Sequence, residues 1–177
     1  HRLRNVNCNA FSSFLCKTQL KGAQNLQFYS SVTHSVKKVM TLPLLRILGH
    51  SVANSNESSH SKIVIWAAYT VAFWGSCRVG EILPRKDDCY NVFETLMWSD
   101  IKFIGEDSLQ IHVKIPKTRT PNGEYISLFS FPFYNCCPVA ALKKLASFRK
   151  SSTDEKVPVF RYENGKFLTK SKMNSLL

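Results

Sequence analysis

Two stretches of the chain alternate apolar and polar residues with period two: LQIHVKI, residues 109 to 115, and EYISLF, residues 124 to 129. Successive side chains of a strand point to opposite faces, so this pattern predicts strands with one face on a core. The turn sequence Thr120-Pro121-Asn122-Gly123 separates them, which gives a β-hairpin with Lys117 near its tip. A weaker strand around Asp100 to Ile104 completes a small three-stranded antiparallel sheet.

Elsewhere the pattern is helical. The apolar run IVIWAAYTVAFWG, Ile63 to Gly75, predicts a buried helix from Ser61 through about Trp74, broken by Gly75. At thirteen residues it is well short of the roughly 20 that a membrane-spanning helix needs. Thr41 reads as an N-cap with Pro43 in the first turn of a short helix that Gly49 terminates, and the polar run from 51 to 60 reads as a loop. Cys77 to Leu83 is a short amphipathic turn or helix stopped by Pro84. Pro138 opens the helix PVAALKKLASFRK, residues 151 to 157 are a loop, Val159-Phe160 is a buried extended piece, and a last helix begins at Leu168-Thr169. Residues 5 to 39 are polar and weakly amphipathic, with Phe11, Phe14, Leu15, Leu26, Phe28, Val32 and Val36 near helical spacing, and predict one or two helices. The expected class is α+β: a mostly helical domain with a small sheet over 41 to 177, preceded by a short helical segment over 1 to 40.

Charge narrows the function. Lys and Arg number 24 against 12 Asp and Glu, a net +12 over 177 residues, and residues 1 to 56 contain no acid at all. Such an excess repels itself and favours a polyanionic partner, nucleic acid above all; the plain alternative is a basic solvated surface. Six cysteines (Cys8, Cys16, Cys77, Cys89, Cys136 and Cys137) show no CxxC spacing, and the pattern suits free thiols in a reducing compartment. Nothing in the spacing recommends a zinc site from Cys8, Cys16 and His34, and neither metal nor cofactor is expected. Asn56-Glu57-Ser58 matches a glycosylation sequon, but no signal peptide is visible and secretion is not expected.

The order of motifs is the most specific signal. An apolar helix is followed by Gly75-Ser76-Cys77-Arg78-Val79-Gly80-Glu81-Ile82-Leu83, by Trp98-Ser99-Asp100-Ile101, and by the hairpin Ile111-His112-Val113-Lys114-Ile115-Pro116-Lys117-Thr118. Tyr125-Ile126-Ser127-Leu128, Cys137-Pro138-Val139-Ala140-Ala141-Leu142 and Leu168-Thr169 continue the series. In this order the chain resembles the tyrosine recombinase, or phage-integrase, family over roughly residues 41 to 177. The resemblance implies the first part of a catalytic domain whose reaction joins a tyrosine to the DNA 3′-phosphate and then reseals the strand, without metal or nucleotide.

By the same resemblance Arg78 is the first catalytic arginine, a planar fork able to hold two phosphate oxygens, and Lys117 is the general acid for the departing 5′-oxygen. Lys114 and Arg119 are neighbours able to take the part of Lys117. Glu81, three residues after Arg78, can face and aim the guanidinium on a helical turn. An ion pair of a buried Arg78 with Glu81 or Asp100 alone is the structural alternative, because a permanent charge following a buried helix needs an anionic partner. Lys37, Lys38, Arg46, Lys114 and Arg119 are the expected DNA contacts. Asp100 reads as structural, in the turn leading into the sheet, and Trp66, Phe73 and Trp74 read as core.

The His-x-x-Arg and nucleophilic Tyr that the family places further on have no counterpart here, so the chain by itself is expected to be inactive. The implied whole is a recombinase or integrase of a mobile element, tetrameric on double-stranded DNA, and nuclear in a eukaryote or otherwise cytoplasmic. The resemblance leaves open a noncatalytic DNA-binding descendant of such an element, and chance motif order would leave an unrelated basic module that binds protein or RNA. The long stretch from Pro84 to Met97 resembles eukaryotic mobile-element members.

Overall fold

The computed structural model describes residues 40 to 116, 120 to 131, 135 to 149 and 156 to 176, all within one unit, Met40–Leu177. Five helices and one sheet make up its regular structure: α1 (Leu42–Asn54), α2 (Ser59–Trp74), α3 (Val79–Ile82), β1 (Ile101–Ile104), β2 (Ser108–Val113), β3 (Glu124–Phe129), α4 (Pro138–Ser147) and α5 (Lys170–Ser175). This is the α+β arrangement with a three-stranded antiparallel sheet that the alternation predicts. The helical segment expected before residue 40 lies outside the described residues.

At the centre is α2, which packs against α1 and α4. Val64, Ile65, Ala67, Ala68 and Val71 are completely or almost completely buried, and each large aliphatic chain among them is worth about 1.5–3 kcal/mol of burial. The two polar residues on its buried faces are satisfied. Thr70 Oγ1 donates back to the Trp66 and Ala67 carbonyls, and the Tyr69 hydroxyl donates to Met173 O at 2.7 Å.

The sheet runs β1-β2-β3, with Ile101 opposite Ile111 and Leu109 opposite Leu128. Leu109, Ile111, Val113 and Leu128 turn inward onto the helices and are at most 3% exposed. Gly123, with φ of 72°, turns the chain into β3 so close to β2 that a Cβ there would lie 2.6 Å from Val113 O. The segment from Met97 to Phe167 is closed by backbone bonds from Val159 N to Leu96 O, Leu168 N to Phe160 O and Phe167 N to Asp87 O, so the buried Val159-Phe160 piece straps the long 84–97 connection to the core.

Two sequence expectations are corrected. Helix α1 passes through Gly49 and ends at Asn54, because Gly49 is where α1 meets Trp66: a Cβ there would stand 2.8 Å from the indole. The glycine serves a close approach, not a stop. The loop accordingly shrinks to 55–58, and α2 starts at Ser59 with the Ser58 hydroxyl capping the Ser61 amide. The same helix ends at Trp74 with Gly75 as its cap, as expected; Gly75 is right-handed and the left-handed residue is Ser76, with φ of 51°. Bonds from Ser76 N to Phe73 O and Cys77 N to Ala72 O form a Schellman motif that absorbs the last carbonyls of α2.

Candidate functional site

The Schellman turn places Arg78. Buried Cys77 follows the left-handed Ser76 and anchors the turn, and Arg78 then becomes the cap of α3. Glu81 Oε2 accepts the Arg78 backbone N–H at 2.7 Å, and its other oxygen accepts from guanidinium Nη1 at 3.2 Å. One carboxylate therefore fixes both the start of the helix and the direction of the arginine. The Arg78 side chain is 56% exposed, which goes against the alternative of a buried arginine paired only with Glu81 or Asp100: the chain has already left the apolar helix when it reaches residue 78.

Arg78 stands at the mouth of a cleft of about 710 Å³ between the end of α2 and the hairpin, walled by Trp74, Cys77, Pro116, Tyr125 and Ile126. Trp74 is fixed by a bond from its indole N–H to Cys136 O at 2.8 Å and by stacking on Phe131. Glu81 and Glu124 also line the cleft. Burial first, and then these two carboxylates, push the Cys77 thiol up to about 12. Two acids against one arginine make the described part of the cleft a poor anion trap alone, so a phosphate held there needs further cations.

Lys117 and Arg119 fall outside the described residues, as do Lys37 and Lys38. Lys114 is placed elsewhere than sequence reasoning put it. Its ammonium meets Asp100 Oδ2 at 2.7 Å and donates to Val92 O at 2.6 Å and Thr95 O at 2.9 Å. All three donors are engaged, with 19% of the side chain exposed, so Lys114 is a structural cation rather than a phosphate ligand. Asp100 also accepts the Met97 N–H at 2.7 Å, holding the turn into β1.

Arg46 lines a second groove of about 630 Å³ between α1, α2 and α4, with His50, Lys62, Lys144 and Trp66. Among the described residues no Asp or Glu lines it. Lys62 is positioned by donating to Ala53 O at the end of α1, where a cation meets the negative end of the helix dipole. The indole N–H of Trp66 bonds to Asn135 O as that of Trp74 bonds to Cys136 O, so the basic groove and the Arg78 cleft flank one turn. Sequence reasoning missed His50, Lys62 and Lys144. The spacing of Arg46 and His50, four apart on one helix, was an available signal; the meeting of three helices was not.

Among the described residues no group of three or more His, Cys, Asp or Glu is placed to hold a metal ion, and no helix is long and apolar enough to cross a membrane. No protein-family model matches the chain, and no curated protein matches it.

Proposed function

We propose that the chain is the first part of a tyrosine-recombinase catalytic domain, a DNA strand-breaking and rejoining enzyme whose site is completed by residues this sequence does not contain. The observation that carries the reading is Arg78, exposed at a cleft and aimed by Glu81. The motif order behind it supports the same assignment. Arg78 grips the scissile phosphate as charge builds in the transition state, and Lys117, which falls between β2 and β3 in the sequence, protonates the leaving 5′-oxygen and supplies positive charge. The groove of Arg46, His50, Lys62 and Lys144 receives the duplex backbone beside it, through phosphate contacts that carry no sequence information. The complete enzyme assembles as a tetramer on double-stranded DNA and works in the nucleus of a eukaryote or otherwise in the cytoplasm.

The test is a covalent-trapping assay with the full-length polypeptide and a pool of nicked duplex fragments. Wild-type protein forms a 3′-phosphotyrosyl adduct. Arg78→Lys forms none while keeping duplex affinity within about threefold, because a single ammonium cannot make the forked contact but retains the charge. Wild-type cleavage by Arg78→Lys removes Arg78 from this role. Duplex binding that weakens steeply with salt, without any adduct, supports instead a noncatalytic DNA-binding descendant.

A further inference from the structure

The outer face of the sheet is unlike a solvated surface. The register puts three rows of side chains there: His112 beside Tyr125; Lys102, Gln110 and Ser127; and Ile104, Ser108 and Phe129. Tyr125 is 64% and Phe129 60% exposed, although the opposite face of the same strands covers the core. The Tyr125 ring is braced rather than loose. The His112 imidazole stacks on it at 4.5 Å and 17°, and His112 Nε2 donates to Asn122 O at 2.9 Å. That carbonyl can only accept, so Nε2 carries the hydrogen.

Between the two aromatic rows lies a row of hydrogen-bonding groups, so the face is not a continuous apolar patch of the kind that docks another protein. It carries a lysine and a histidine and no carboxylate. Glu106 and Asp107 lie in the β1–β2 turn beyond its end, and Glu124, next to Tyr125 in β3, alternates to the opposite face and lines the Arg78 cleft. Flat exposed rings separated by donors and acceptors, in rows that hold no carboxylate of their own, suit unpaired bases: each base offers a π-face to a ring, and its edge meets the polar row. Tyr125 also lines the Arg78 cleft, so a strand leaving that cleft runs directly onto the face. Tyr125 and Phe129 are four residues apart, roughly 13 Å along the strand.

We infer that this face is a stacking platform for single-stranded DNA, with bases on Tyr125 and Phe129 and the backbone near Lys102. The choice of DNA rests on the strand-cleavage reading above; the stacking itself rests on the sheet alone. It gives a strand separated from its partner near Arg78 a place to be held.

The experiment is fluorescence-anisotropy titration of the 177-residue chain with labelled dT12, with a 12-base-pair duplex and with U12, alongside sedimentation to report self-association. Tyr125→Ala and Phe129→Ala should each weaken dT12 binding by about tenfold, Tyr125→Phe should keep it, and Phe129→Ala, remote from the Arg78 cleft, should change duplex binding less than twofold. Circular dichroism of each variant confirms folding, which exposed positions tolerate. Equal dT12 affinity of the Tyr125→Ala/Phe129→Ala double variant and wild type overturns the proposal. So does a wild-type dimer lost in that variant, which would assign the rings to a second copy, or binding of U12 with dT12 ignored. Loss of duplex binding with dT12 binding intact would count against the recombinase reading and leave the platform standing.

Discussion

Replacing Lys114 by methionine separates a structural cation from a DNA ligand. Methionine keeps an unbranched stem and removes the ammonium, leaving Asp100, whose side chain is 9% exposed, without its countercharge. Breaking a buried pair by removing one partner costs about 3–5 kcal/mol. The Thr95 carbonyl loses its Lys114 donor within a 2% exposed residue, adding about 1–3 kcal/mol where water does not replace it. Val92 is exposed and water replaces the lysine there. Water reaching Asp100 lowers the total, so about 3–5 kcal/mol is expected against a stability on the order of 5–15 kcal/mol. Urea unfolding followed by tryptophan fluorescence should show a large fall in midpoint with little change in slope. In a cycle with Asp100→Asn, the double variant should be more stable than the sum of the singles by about 1–3 kcal/mol. Duplex affinity of the folded fraction should be unchanged. A Lys114→Met protein within about 1 kcal/mol of wild type that has lost DNA binding would refute this account and return Lys114 to the phosphate ligands.

Three further outcomes follow from local geometry. Gly49→Ala should destabilise by about 1–2 kcal/mol in thermal unfolding, because the clash with Trp66 outweighs a propensity gain of up to about 1 kcal/mol; a stabilised variant would mean that α1 and α2 separate at no cost. Stability should fall with alkali: burial raises the folded-state pKa of Cys77 to about 12, and that of Tyr69 also to about 12. A raised folded pKa gives stability that is complete below the unfolded value and is lost as pH rises toward the folded one. The unfolding free energy from urea titrations should therefore drop between pH 9 and 10, by up to roughly 1 kcal/mol per pH unit from Cys77, and Cys77→Ala should flatten that window. Among the described cysteines only Cys89 is exposed, so alkylation mapped by peptide mass should label it well before Cys77, Cys136 and Cys137. Equal labelling would contradict the packing of α4 and the α2–α3 turn.

The strands were legible because a one-sided sheet writes its burial into the sequence with period two: Leu109, Ile111 and Val113 face the helices and Gln110 and His112 do not. Arg78 and Glu81 were legible as a pair because three residues on a helical turn bring side chains together. What failed depended on contacts distant in sequence. Gly49 carries no mark that distinguishes a helix stop from a seat for Trp66. Lys114 and Lys117 are three residues apart on one hairpin, and only the fold shows that Asp100, Val92 and Thr95 converge on the first of them. A buried Arg78 was the alternative suggested by its proximity to an apolar helix, but one left-handed serine redirects the chain within two residues. The Tyr125 and Phe129 platform could be seen in the alternation of EYISLF only once the covered face was known.

The bond from Tyr69 to the carbonyl of Met173 spans 104 residues. A ribosome delivering this chain releases the central helix long before the residue that satisfies its buried hydroxyl. Until then α2 has no complete seat, for Phe160 and Leu168, both fully buried, arrive nearly as late. Formation of this core is thus deferred until residue 173 has been made, the slow, non-local kind of closure in which chain entropy is lost before the contacts that repay it exist. A nascent chain stalled before residue 160 would expose the apolar run from Ile63 to Trp74, and it is at that stage that a chaperone would meet it.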